Sequence, residues 1–175
     1  AMINNFNNNI SHNIIFNNSF FGVIVNTASG LMTQVSQNIT IENNVIYSNP
    51  YGGIYVYGYI AGGSCSGCFF NINNNTIYNI SASSSAGIYI GQMNKSNINY
   101  NTIDNQTDTG IEFAGNTRSS LITGNTISHC NNYAISTSGL GSTNFSSNDL
   151  HDNNYGFYSS GGGSDNDAGN NYYIS

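Results

Sequence analysis

Residues 74–79 read NNTIYN, and close variants return along the chain: NNVIYSN from Asn43, YNTIDNQ from Tyr100, GNTISHC from Gly124 and SNDLHDN from Ser147. Aligned on one Asn per copy, the repeat places Asn13, Asn44, Asn75, Asn101, Asn125, Asn148 and Asn171 at spacings of 31, 31, 26, 24, 23 and 23 residues. Two positions later stand Ile15, Ile46, Ile77, Ile103, Ile127 and Leu150, with Tyr173 as a loose seventh. Three positions earlier stand Ile10, Ile41, Ile72, Ile98, Ile122, Phe145 and then Ala168. A second motif follows downstream in each copy: GVIV (22–25), GIYV (53–56), GIYI (87–90), GIEF (110–113), AIST (134–137) and GFYS (156–159).

Each repeat thus holds three short segments with apolar residues at alternate positions, the period of a β-strand. Asn, Gly and Ser, which favour turns, separate the segments and leave no helical window. A repeat in the twenties of residues without helices predicts a β-solenoid. The expected fold is all-β, with six to seven coils, three short strands per coil and an Asn ladder at one turn. This pattern resembles the right-handed parallel β-helix of pectate-lyase-like proteins over nearly the whole chain. The resemblance implies a fold and says little about function. The absence of any Asn-Gly pair, a strong hairpin signal, agrees with parallel pairing.

Stacked coils lie ~4.8 Å apart, so equivalent residues sit one above another. The Ile rows then fill a continuous interior. An Asn amide both donates and accepts, so stacked Asn can bond coil to coil. The ladder Asn are expected to take a left-handed turn conformation, which Asn tolerates. Asn17, Asn79 and Asn105 are expected to form a partial second ladder.

The chain has 175 residues, 34 of them Asn, and only 6% are charged, against roughly 25% in ordinary proteins. The reading is one domain, residues 1–175, excerpted from a larger exported protein. Ala1 before Met2 reads as a cloning remnant, with a native leader or upstream domain removed. The net charge is -6, and Lys95 and Arg118 are the two cations. No basic stripe exists to displace counterions from nucleic acid, and the same shortage disfavours polyuronates. No apolar run approaches the ~20 residues of a membrane span. The expected location is secreted or cell-surface. Neither end carries an evident cap, so a homo-oligomer or end-to-end association is expected.

Cys65 and Cys68 form CSGC, and Cys130 stands apart. The pair reads as a local disulfide of an exported protein or as free thiols, since a metal site needs about four ligands. Extra residues in TASGLMTQVSQ, YGYIAGGSCSGC and ISASSSAG mark loops on one side of the solenoid, where binding is often placed.

Outward rows carry the candidate chemistry. Phe16, Tyr47, Tyr78, Asp104, Ser128 and His151 form one row; Ile24, Tyr55, Tyr89, Glu112, Ser136 and Tyr158 form another. Aromatic faces stack on sugar C–H surfaces while Asn, Ser and Tyr bond the hydroxyls. Phe16, Tyr47 and Tyr78 are expected to make a flat apolar strip with hydroxyl edges, and Tyr47, Tyr78, Tyr55 and Tyr89 are the candidate ligand-binding residues for a neutral glycan or cell-surface polymer. Weaker acid/base candidates are Asp104 and the group Asp149, His151 and Asp152. Asp165 and Asp167 are weak Ca²⁺ candidates. No cofactor is expected, and the three His do not converge as metal ligands.

Enzymes of the resembling superfamily use motifs that this sequence lacks. Arg118 is the only Arg and has no acidic cluster beside it, unlike the pectate lyase arrangement. The NTD, GHG and RIK motifs of polygalacturonases are absent, and so is the Asp-Pro-His-Glu motif of alginate epimerases. The preferred expectation is a non-catalytic extracellular module for carbohydrate binding or surface attachment. The alternatives are a segment of a polysaccharide lyase, hydrolase or epimerase, and a purely structural stalk, tail or surface-layer segment.

Overall fold

A computed structural model describes residues 4–26, 35–60, 63–64, 67–92, 95–115, 119–138, 143–160, 166–167 and 172–174. Each turn of the chain lays down three strands. The first coil holds β1 (Asn4–Ser11), β2 (Ile14–Phe16) and β3 (Phe21–Asn26), and the second holds β4 (Val35–Glu42), β5 (Val45–Tyr47) and β6 (Gly52–Tyr57). A small antiparallel pair, β7 (Tyr59–Ile60) and β8 (Gly63–Ser64), interrupts the second loop. The third coil follows as β9 (Gly67–Asn73), β10 (Thr76–Ile80) and β11 (Ala86–Gly91), the fourth as β12 (Ser96–Asn99), β13 (Thr102–Gln106) and β14 (Thr109–Ala114). The fifth is β15 (Leu121–Thr123), β16 (Thr126–Cys130) and β17 (Tyr133–Thr137), and the sixth β18 (Asn144–Ser146), β19 (Asp149–His151) and β20 (Tyr155–Ser159). β21 (Asn166–Asp167) and β22 (Tyr172–Ile174) begin a seventh.

First, second and third strands of successive coils pair in parallel, giving sheets of seven, seven and six strands among the described residues. This is the parallel β-helix that the repeat predicts. No helix of the structure is long and apolar enough to cross a membrane.

The register follows the sequence alignment. Ile46, Ile77, Ile103, Ile127 and Leu150 stack in the second sheet, and Ile41, Ile72, Ile98, Ile122 and Phe145 in the first. All are buried, and each buried Ile is worth roughly 1.5–3 kcal/mol against exposure. One position differs: Asp167, not Ala168, pairs with Phe145, so the alignment slips by one residue there, while Tyr173 does pair with Leu150.

The Asn ladder runs unbroken from Asn13 to Asn148. In each coil the backbone N–H and the side-chain amide donate to Oδ1 of the next Asn, at 2.9–3.0 Å. The same amides also donate to buried carbonyls, such as Ile41 O from Asn75 and Ile72 O from Asn101. The left-handed residue is not the ladder Asn, however, but the one before it: His12, Asn43, Asn74, Tyr100, Gly124 and Ser147, with φ of 54–65°. That residue makes the bend, which turns the Asn side chain inward. A second left-handed row, Asn17, Ser48, Asn79, Asn105, His129 and Asp152, closes the middle strand. Within it Asn105 Nδ2 donates to Asn79 Oδ1 at 2.6 Å, a partial exposed ladder. The next position holds an inward polar row that the sequence reading missed: Asn18, Asn49, Gln106 and Asn153, interrupted by Ile80 and Cys130. Asn18 donates to Asn49 Oδ1 at 2.9 Å, and Asn153 Oδ1 accepts from the Cys130 N–H at 2.9 Å.

The glycines opening the second motif answer to space. A Cβ at Gly22, Gly53, Gly87 or Gly110 would meet Cγ2 of Ile46, Ile77, Ile103 or Ile127 at 2.5–2.7 Å. The third sheet therefore folds tightly onto the ladder strand.

Candidate functional site

The outward face of the third sheet carries a depression of about 450 Å³. Its long wall is the row Tyr55, Tyr89 and Glu112, consecutive in register. The opposite rim is the corner before the sheet, where Tyr51, Ser85 and Asp108 occupy successive coils. Between wall and rim the row position holds Gly52 and Ala86, and the small Ala86 lies in the floor of the hollow. Phe21 closes one end: its ring lies over Gly52, where a Cβ would meet Phe21 Cδ1 at 2.6 Å. Ser84 and Ser85, from the extra residues of the third coil, add hydroxyls to the rim.

The aromatic wall is ordered by packing. Tyr55 and Tyr89 overlap with centroids 4.8 Å apart and planes within 5°. Phe21 leans on Tyr55 at 4.8 Å and 39°, and Tyr51 packs on Phe20 at 4.5 Å. The stack ends at Tyr89, whose next neighbour in register is Glu112. The ring face that Tyr89 turns toward the fourth coil thus borders a carboxylate rather than another ring.

The electrostatics are one-sided. Burial pushes the Glu112 carboxyl above its ordinary range, and the charge of Asp108 adds to the rise. No hydrogen bond reaches the Glu112 side chain among the described residues. Asp108 Oδ1 accepts from Asn132 Nδ2 at 2.7 Å and from Thr109 Oγ1 at 3.3 Å. Burial lifts the Tyr89 phenol to about 12, with the charges of Tyr55 and Glu112 assisting. Tyr55 is raised as well, by burial and then by Tyr57. Both phenols stay neutral and able to donate. Among the described residues, no Lys, Arg or His lines the depression.

The four candidate tyrosines are thereby divided. Tyr55 and Tyr89 line the depression; Tyr47 and Tyr78 do not. Phe16, Tyr47 and Tyr78 overlap along their row at 5.1 and 4.9 Å, with planes within 2°. Rings that close and parallel cover one another's faces and turn their edges to solvent, and the same holds between Tyr55 and Tyr89. The expected flat strip is an edge-on ladder, because coil spacing and ring stacking distance nearly coincide.

The acid/base candidates also regroup. Asp104 (β13) and Glu112 (β14) lie on different sheets. His151 Nδ1 lies 3.0 Å from Asp149 Oδ1, as their shared face implies. Asp152 instead turns its charge on His129. The pair that sequence reading missed is Asp104 and His129, Nδ1 to Oδ1 2.7 Å. Ser128 Oγ donates to the same oxygen at 2.8 Å. Burial would raise Asp104, but the hydrogen bonds from His129 and Ser128 outweigh it and hold the carboxyl below its ordinary range. His129 is raised, chiefly by that hydrogen bond and then by the Asp104 charge. His129 follows Asn105 in the left-handed turn row, and that alignment was the available signal.

Among the described residues no three His, Cys, Asp or Glu side chains gather as a metal would require. Asp165 lies outside the described residues, and Asp167 is described only as backbone of β21. Cys65 is also outside them; Cys68 is buried and disulfide-bonded. Cys130 is a buried free thiol, pushed up to about 12 by burial and then by the charge of Asp104.

A family model described as "Right handed beta helix region" matches residues 3–172. Among solved structures, the A-module of the mannuronan C-5 epimerase AlgE4 of Azotobacter vinelandii is similar, with a TM-score of 0.61 and 17% identity. The match covers 85% of this chain and 36% of that one, and at this identity it speaks for the fold. No curated protein matches the sequence.

Proposed function

The chain belongs to the right-handed β-helix family, and from that premise we propose that it is a non-catalytic, exported carbohydrate-binding module. Its ligand is a non-acidic glycan of a cell surface or secreted polymer, held across the depression on the third sheet. The observation that carries this reading is the depression itself. An aromatic wall of Tyr55, Tyr89 and Phe21 faces a polar rim of Ser84, Ser85 and Asp108, the pairing of apolar body and directed polar groups that ligand sites use. The structural neighbour is by name an enzyme of a saccharide polymer, which supports a saccharide as the ligand class. The net charge of -6 opposes an acidic chain.

A second reading, a polysaccharide-modifying segment, draws on one observation. Asp108 and Glu112 share the depression, and the raised Glu112 carboxyl is the kind of group that general acid–base chemistry uses. A broad glycan array, with reducing-end release assayed on the same polysaccharides, separates the readings. Binding without release is the expected result. Release of sugar ends would favour catalysis, and silence in both assays would leave a structural segment.

A further inference from the structure

The depression combines features that a neutral sugar alone does not explain. Among the described residues its lining holds two carboxylates and no cation. Glu112 is half-buried, accepts no hydrogen bond among the described residues, and feels the charge of Asp108. A carboxylate so placed is costly unless a counter-charge arrives. The sugar's hydroxyls could bond the carboxylate, but they would not relieve the repulsion between Glu112 and Asp108; a cation relieves both. The aromatic stack also ends at Glu112, so the ring face of Tyr89 borders the carboxylate. An ammonium seated there meets an aromatic face and a counter-ion together.

We infer that the depression selects a sugar bearing a protonated amine, with Glu112 and Asp108 facing the ammonium and Tyr89 and Tyr55 flanking the ring. This rests on the glycan-binding reading and names its ligand class: a polymer or glycoconjugate containing free amino sugar.

The test uses three β-1,4-linked tetramers that differ at C2: glucosamine, N-acetylglucosamine and glucose. Each is titrated into the intact chain by calorimetry at mildly acidic pH. The glucosamine tetramer is expected to bind about tenfold more tightly than the other two. Glu112→Gln, which keeps the side-chain shape, brings its affinity down to the level of the neutral tetramers. Glu42→Gln removes the same charge outside the depression and leaves the preference in place. Equal affinity for the three tetramers would overturn the inference while leaving the glycan reading standing. A preference that survives Glu112→Gln would overturn it too, since the ammonium would then be held elsewhere. Binding of none of them, in a chain whose melting curve is intact, would overturn the inference, and the glycan reading would then stand or fall on the array.

Discussion

The backbone N–H and the side-chain amide of Asn75 converge on a single atom, Asn101 Oδ1, each at 3.0 Å. Asn101 in turn donates to the Ile72 carbonyl at 2.8 Å. Removing the Asn101 side chain therefore takes the acceptor from the buried Asn75 N–H and a donor from the Ile72 carbonyl, while the Asn75 amide keeps Ile41 O and Asn73 O. Asn101→Ala is expected to cost roughly 3–5 kcal/mol, since each unpaired buried group costs about 1–3 kcal/mol. Asn105→Gly, which tolerates the left-handed backbone there and removes the exposed ladder bond, is expected to cost less than about 1 kcal/mol. Urea unfolding of both variants checks the contrast; equal midpoints would show that the buried ladder contributes nothing special.

The glycine row makes a steric prediction. A Cβ at Gly110 would meet Ile127 Cγ2 at 2.5 Å and the Ala134 carbonyl oxygen at 2.6 Å, both fixed in the core. Gly110→Ala is expected to destabilise by about 1–3 kcal/mol, the usual cost of overpacking. The fifth coil already holds Ala134 at this position, fully buried, so the constraint belongs to the neighbours and not to the motif. A stabilised Gly110→Ala variant in the same urea assay would contradict the packing described.

The Asp104–His129 pair gives a pH dependence with a defined sign. His129 is raised above its ordinary 6.5. Its contribution is full below that value and is lost as pH rises through the folded-state value. Asp104 is lowered below 3.8, so its contribution is present above that value and is lost as pH falls through the folded one. The pair stabilises most between about pH 4 and 6.5. Both side chains are substantially exposed, at 61% and 45%, so the effect is modest and weakens with salt. His129→Gln should lower the melting temperature near pH 5 and leave it unchanged near pH 9. An equal loss at both would assign the residue a role other than this pairing.

Cys130 makes a chemical prediction. Its thiol is buried and raised to about 12 by burial, so almost no thiolate exists at neutral pH. Alkylation by iodoacetamide should be negligible in the native chain and should appear in step with global unfolding as urea is added. Rapid native labelling would place the thiol at the surface.

How much of this was legible in the sequence depended on whether a feature lies along one row or between rows. Asn44, Asn75 and Asn101 could be read because every coil meets the same requirement at the same point. One residue type then recurs at the repeat. The inward row of Asn18, Asn49, Gln106 and Asn153 meets a similar requirement, yet Ile80 and Cys130 break it and hide the period. Tyr47 and Tyr55 look alike in sequence. They differ in what flanks them around the corner, where the small Ala86 lines a hollow beside Tyr55. The pairing of His129 with Asp104 is hidden in the sequence because it depends on alignment with the left-handed Asn105, which sets His129 beside Asp104 one coil away. The disagreement over Ala168 arose where the repeat itself loosens near Asp167.

Binding in the depression is tested most directly by the tyrosines themselves. The chain has no Trp and 13 Tyr, so intrinsic emission reports on tyrosine. An oligosaccharide selected from the array would be titrated into the wild-type chain, Tyr89→Ala and Tyr47→Ala. A saturable change in the wild type and in Tyr47→Ala, absent in Tyr89→Ala at unchanged secondary structure, is the result predicted here. A change that persists in Tyr89→Ala and vanishes in Tyr47→Ala would move the site to the second sheet and contradict it.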